Sequence, residues 1–213
     1  MRQHVNIDVK VRTLGKHVCS INGFEMVKVT DEIYDQMGAI ITDAILQAGI
    51  NYDNVVAPRV KCLREKYPRA RTTTGFLQLC GKTDPKVLLK WKGDEKPRRI
   101  IQVTKFFKKE DIQVKADLCE WIQKPGNPER LKQLKGIGDK TVDYFKILVG
   151  IQTSAIDRHL MNFLKEAGIE ASGYEEAQKI IDKTADSMGE NRRDFDHSIW
   201  TYMSGRKAKS CTD

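Results

Sequence analysis

Residues Pro128–Leu164 read PERLKQLKGIGDKTVDYFKILVGIQTSAIDRHLMNFL, and the fold is decided by how this stretch is understood. Its centre, Lys135-Gly136-Ile137-Gly138-Asp139, is a tight turn. Pro125-Gly126-Asn127-Pro128 breaks the chain before it, and Glu129 to Leu134 reads as a short helix. Glycine accepts positive φ and lets another group come close to the backbone, so Gly136 and Gly138 permit a sharp reversal. Gly138 or Asp139 then caps a second helix. Val142, Phe145, Leu148 and Val149 fall at helical spacing and mark its buried face. The turn therefore presents a helix N-terminus, where the first N–H groups lack intrahelical acceptors and the dipole favours an anion. Most isolated G-x-G turns only join two helices. Here the surroundings are basic, which points to phosphate.

Lys140 lies in the first turn of that second helix. Most lysines are simply exposed, but a cation is disfavoured at a helix N-terminus. That repulsion favours the neutral, nucleophilic amine. Seventeen residues on, Asp157 stands in Ser154-Ala155-Ile156-Asp157-Arg158-His159 and reads as the N-cap of a further helix. A helix of about ten residues rises ~15 Å. The next seven or so residues span up to ~23 Å when extended. The spacing thus permits Asp157 to return beside Lys140.

The whole chain has 213 residues, with 31% charged, 40% hydrophobic and a net charge of +8. The excess of cations favours a polyanionic partner, nucleic acid before anionic membrane. No apolar run is long enough to span a bilayer, and the N-terminus lacks the apolar core of a signal peptide. Five scattered cysteines form no C-x-x-C pair, so neither a disulfide framework nor a zinc site is expected. A reduced cytoplasmic setting follows, nucleoid-associated in a bacterium and nuclear in a eukaryote. His159 and His197 stand outside any metal-ligand pattern and are read as structural or surface residues. The basic tail Arg206-Lys207-Ala208-Lys209 reads first as a solvated terminus and second as a backbone contact to a polyanion.

Along the rest of the chain the expected class is all-α. Val5, Ile7, Val9 and Val11 alternate with polar residues, and Asn22-Gly23 precedes Phe24–Val29, so a small N-terminal β-hairpin is expected in residues 1–29. From Thr30 or Asp31 a helix is expected, with Ile33, Met37, Ile40, Ile41, Ala44 and Ile45 on one apolar face and Gly49 as its stop. Another helix begins at Asp53 or Asn54, passes Val56, Val60 and Leu63, and ends before Pro68. Residues 69–97 read as short pieces, with Lys92 to Pro97 as a loop. Helices follow around Ile100–Phe107 and Val114–Gln123.

Gly136-Ile137-Gly138-x-Lys140-Thr141 followed by Ile156-Asp157-x-His159 resembles the helix-hairpin-helix-GPD superfamily of DNA base-excision glycosylases, of which endonuclease III is a familiar member. Ile45 to Asp53 is similar to that family's helix-turn segment entering the DNA groove, and Phe195 to Trp200 gives a weaker match. The resemblance implies a two-lobed helical fold. One lobe covers 30–150 with the helix-hairpin-helix, and the other combines 1–29 with 151–213, the active-site cleft lying between them. It implies a monomer acting on double-stranded DNA that holds a damaged, mismatched or abasic site.

By the same resemblance, Lys140 is the catalytic amine and Asp157 its acid partner in a bifunctional glycosylase and AP lyase. Gly136, Ile137, Gly138 and Thr141 belong to the DNA-binding hairpin. Gln47, Asn51 or Tyr52 fills the gap left by a flipped base, or these are ordinary helix-end polar residues. Backbone carbonyls of Lys132, Leu134 and Ile137 would hold Na+ or K+, and no other cofactor is required. Lys135 replaces a common proline, and Arg158 a common threonine or valine. Only Cys211 stands where endonuclease III carries four cysteines, so no iron–sulfur cluster is expected. Two other readings stay open: a non-catalytic helix-hairpin-helix DNA-binding protein, and a monofunctional glycosylase, against which stands Lys140, since monofunctional members of the family lack that lysine.

Overall fold

The computed structural model describes residues 6–29 and 34–209. Val5, Thr30, Asp31, Ile33 and Cys211, and the side chains of Arg206, Lys207 and Lys209, lie outside what is described. Among the described residues every regular element is helical. In order these are α1 (Ile7–Ser20), α2 (Met37–Leu46), a π-turn (Tyr52–Val56), α3 (Ala57–Lys66), a 3-10 turn (Pro68–Arg71), α4 (Thr73–Lys82), α5 (Pro85–Leu88), α6 (Glu95–Lys109) and α7 (Lys115–Gln123). Then come α8 (Asn127–Lys132), α9 (Asp139–Val149), α10 (Arg158–Glu166), α11 (Tyr174–Met188) and α12 (Arg192–Lys209). The chain divides into two compact units, Glu32–Ile151 and Met1–Asp31 with Gln152–Asp213.

The unit Glu32–Ile151 is built around α2, which packs against α3, α4, α6 and α9. All ten residues of α2 are buried, including Asp43 and Thr42. The expected single apolar face is therefore corrected: a helix with neighbours on every side must be apolar all round. Gly38 lets α4 come close, since a Cβ there would stand 2.8 Å from the Phe76 ring. The expected helix from Asp53 or Asn54 starts instead as the π-turn, capped by Asn51, and continues as α3 with Pro58 in its first turn. Residues 73–82, read as short pieces, form α4, capped by the Thr72 side chain, which accepts the Gly75 N–H at 3.0 Å. Phe107 of α6 meets Phe145 of α9 edge-on at 5.5 Å, and both are fully buried. Burying two such rings is a large apolar contribution and fixes α9 against α6.

The second unit packs α1 on α11, α10 on α12, and α11 on α12. Its core includes Leu14, Phe163, Ile180, Ile181, Phe195 and Ile199. Among the described residues the expected β-hairpin is replaced by helix α1 and an irregular stretch. Asn6 caps α1 by accepting the Asp8 N–H at 2.9 Å. Val11, Leu14 and Val18 are buried at helical spacing, whereas Val9 is 41% exposed. Ile7 and Val11 fit both periods but Val9 fits only that of a strand, and packing against α11 selected the helical one. Phe24–Val29 runs as irregular chain beside α12: Val27 N–H donates to Ser198 Oγ at 2.8 Å, and Val29 N–H to Asp194 Oδ1 at 3.1 Å.

Candidate functional site

In the unit Glu32–Ile151, α8 ends at Lys132 and the chain reverses through 133–138. The Leu134 carbonyl accepts the Ile137 N–H at 3.0 Å, and Gly136 has φ +81°. A four-residue turn with positive φ at its third position requires glycine or a close substitute. The Ile137 side chain is buried and anchors the turn in the core. The Gly138 carbonyl accepts the Thr141 and Val142 N–H groups at 3.0 and 3.1 Å, which starts α9. The N-cap residue is Gly138, which has no side chain with which to cap this N-terminus. Lys132 Nζ staples the two helices by pairing with Asp139 at 2.6 Å and Glu129 at 2.8 Å. The hydrogen bond to Asp139, and then that to Glu129, holds the Lys132 ammonium above the ordinary lysine range. The carbonyls of Lys132, Leu134 and Ile137 belong to this one reversal.

Lys140 is half-buried in the first turn of α9. Two cations from the start of α6 share its neighbourhood. Lys96 Nζ donates to the carbonyls of Leu46 and Ala48 at 2.5 and 2.7 Å, closing the C-terminal end of α2. Burial pushes the Lys96 amine down to about 8, with the Arg99 charge next in weight; Lys140 pushes the same way and Glu95 opposes. The Arg99 guanidinium lies over Gly136. Neither residue stood out in the sequence, because Lys92–Pro97 reads as a loop and both are two among many cations. The structure starts α6 at Glu95, inside that stretch, which puts Lys96 in its first turn and Arg99 in its second.

The segment after α2 divides in three ways. Gln47 has its amide nitrogen enclosed with no acceptor among the described residues. Asn51 is exposed and its side chain accepts the Asn54 N–H at 2.9 Å, capping the π-turn. Tyr52 turns its hydroxyl inward and donates to Asp43 Oδ2 at 3.0 Å. Asp43 is fully buried and also receives the hydroxyls of Tyr34 and, at 3.2 Å, Tyr144. Burial first, and the Asp43 charge second, raise the Tyr34 and Tyr144 phenols above the usual range. Tyr144 lies one helical turn beyond Lys140 on α9, so the network joins the base of that helix to α2 and to the Tyr52 segment. A lone aspartate inside an otherwise apolar helix was its sequence signal.

Asp157 belongs to the other unit. Its Oδ1 accepts the N–H groups of His159 and Leu160 at 2.7 and 3.2 Å, so it caps α10 as its position indicated. The approach to it is held rigidly. Ser154 Oγ donates to Asp182 at 2.7 Å, Ala155 N–H to Asp196 at 2.7 Å, and Ile156 N–H to the Tyr174 hydroxyl at 3.2 Å. His159 is buried with its ring edge-on to Trp200, and His197 stacks on the same indole. Among the described residues no three side chains form a metal-binding group, and no helix is long and apolar enough to cross a membrane.

A family model matches residues 15–204, a span that takes in both Lys140 and Asp157. The chain belongs to the family described as a domain of unknown function, DUF8548. No solved structure matches this DUF8548 chain.

Proposed function

We propose that this protein is a DNA base-excision glycosylase with AP lyase activity, built on a helix-hairpin-helix in α8, α9 and the turn between them. One observation carries the reading: an amine, Lys140, in the first turn of a helix that starts at a glycine N-cap and follows a positive-φ glycine turn, among converging cations. The basic net charge, the enclosed Gln47 amide and the Asp157 cap in the family-like Ile156-Asp157-x-His159 motif support it. The exposed amides of such a turn suit a backbone phosphate, and a target base would be swung out of the duplex.

In the proposed reaction the Lys140 lone pair attacks the sugar C1′. The C1′–N bond breaks, and its electron pair leaves with the base, which takes up a proton. The amine gives its proton to a carboxylate, the role given to Asp157; the C1′–O4′ bond then breaks, its electron pair stays on O4′, which takes up that proton, and the opened sugar is an iminium. Loss of a C2′ proton then expels the 3′ phosphate and nicks the strand. Borohydride trapping on abasic-site duplex tests this directly. The wild type should form a covalent adduct and Lys140→Ala none. An equal yield from the variant, or no adduct from either protein, removes the lyase assignment. The second reading, a non-catalytic DNA-binding hairpin, is favoured by the commitment of Asp157 Oδ1 to capping, and predicts binding without an adduct. A monofunctional glycosylase predicts base release without a nick. A panel of duplexes with single lesions identifies the base.

A further inference from the structure

Arg99 is placed unusually for a surface arginine. Its side chain is only 16% exposed. A Cβ on Gly136 would stand 2.2 Å from its Nη2, 2.3 Å from its Cζ and 2.4 Å from its Nε, so the guanidinium occupies the space that a side chain at 136 would take. Its carboxylate partner is Glu95, one turn earlier on α6, at 2.6 Å and 78% exposed. Beside it are Lys96, fixed on the Leu46 and Ala48 carbonyls, and Lys140.

Cations that converge repel one another, and the arrangement is relieved by an anion that they share. A guanidinium has five donors in a planar fork that matches two phosphate oxygens. One nitrogen is engaged by Glu95, and that carboxylate is in water, where a surface pair is weak and readily exchanged. The stem is already buried, so little side-chain freedom is left to lose on binding. A bare glycine below the fork lets it lie on the turn whose amides face the same ligand.

We propose that Arg99 is a DNA-phosphate ligand of the Gly136 turn, supplied from α6 and exchanging Glu95 for the backbone phosphate that the turn's amides receive. This rests on the DNA-binding reading above. Arg99 adds a charged, geometry-matched contact to a turn that otherwise offers only backbone amides and nearby lysines.

The experiment measures Kd for a duplex containing a tetrahydrofuran abasic-site analogue across a KCl series, using full-length wild type, Arg99→Gln, Arg99→Lys, Glu95→Gln and the Glu95→Gln/Arg99→Gln double variant. Each phosphate contact contributes about one unit to the slope of log Kd against log salt. Arg99→Gln should flatten the slope by about one unit. Arg99→Lys should keep the slope but bind several-fold more weakly at every salt concentration. Glu95→Gln should tighten binding, and that gain should vanish in the double variant. Arg99→Lys keeps the charge and the buried stem, so it reads the loss of the planar fork even if Arg99→Gln folds poorly, and binding equal to wild type at every salt concentration overturns the assignment. An unchanged slope in a folded Arg99→Gln protein overturns the assignment, as does an equal Glu95→Gln gain in both backgrounds. If the wild type itself binds without salt dependence, the DNA reading falls and takes this assignment with it. Salt-dependent wild-type binding with an unaltered Arg99→Gln slope removes only the role of Arg99.

Discussion

The N-termini of α9 and α10 carry the two residues of greatest chemical interest and are finished in opposite ways. At α10 the cap is a side chain: Asp157 takes two of the first amides on one oxygen, and the residues before it are buried and tied by side chains of α11 and α12. At α9 the cap is Gly138, which has no side chain, and the nearby charges are mostly cations. A helix start closed by its own carboxylate has used its amides for stability. One that starts at glycine leaves them to water or to a ligand. The carboxylate at α9 that might have competed, Asp139, is drawn to Lys132.

The comparison can be broken most sharply at Asp157. Asparagine caps as well as aspartate but cannot accept a proton at neutral pH. Asp157→Asn should therefore keep its melting temperature while base release in single turnover falls by about 10²–10⁴-fold. A variant with unchanged kinetics would make Asp157 a cap and nothing more. Gly136→Ala comes next. It forces a Cβ into a positive-φ position and displaces the Arg99 fork, so urea unfolding should show a loss of about 1–3 kcal/mol. The corresponding change at Gly138, where φ is −118° and a Cβ meets nothing within 4 Å, should be mild.

Smaller effects sharpen what holds α9 in place. Tyr144→Phe removes one donor from buried Asp43 and should cost about 1 kcal/mol by the same measurement. A further effect is in pH. With Lys96 lowered to about 8 from an ordinary 10.5, the folded protein gives up that proton before the unfolded chain does. The burial penalty is thus fully present below pH 8 and fades as pH rises towards 10.5. Wild-type stability should gain on that of Lys96→Met over this range, and parallel pH profiles of the two proteins would refute the shift.

The helical class was legible because Ile100, Val103 and Phe107 of α6, and the Val142–Val149 face of α9, carry strong 3.6-residue periods, and these positions are buried. The cap at Asp157 was legible for the same local reason. The N-terminus was misread because Ile7 and Val11 fit two periods at once and Val9 fits only that of a strand. The Asp43 network was not legible as a unit. Its tyrosines at 34, 52 and 144 come from distant parts of the chain, and nothing local to any of them names the others. Lys96 and Arg99 were hidden in the same way: a cation's partner, whether a carbonyl at 46 or a glycine at 136, is a property of the fold and not of the residues beside it.

The unit that joins Met1–Asp31 to Gln152–Asp213 has a consequence for how the chain is made. Helix α1 leaves the ribosome well before the α11 surface against which its Val11, Leu14 and Val18 side is packed. The whole of Glu32–Ile151 is synthesised in between. Throughout that interval α1 must wait with an apolar stripe uncovered, while the middle of the chain already has every helix it needs to close its own core. The middle is thus free to fold first, and the other unit closes only once α11 has been made. A truncation that removes α11 and α12 should leave α1 without a surface to bury its stripe, and limited proteolysis of such a fragment should cut there first.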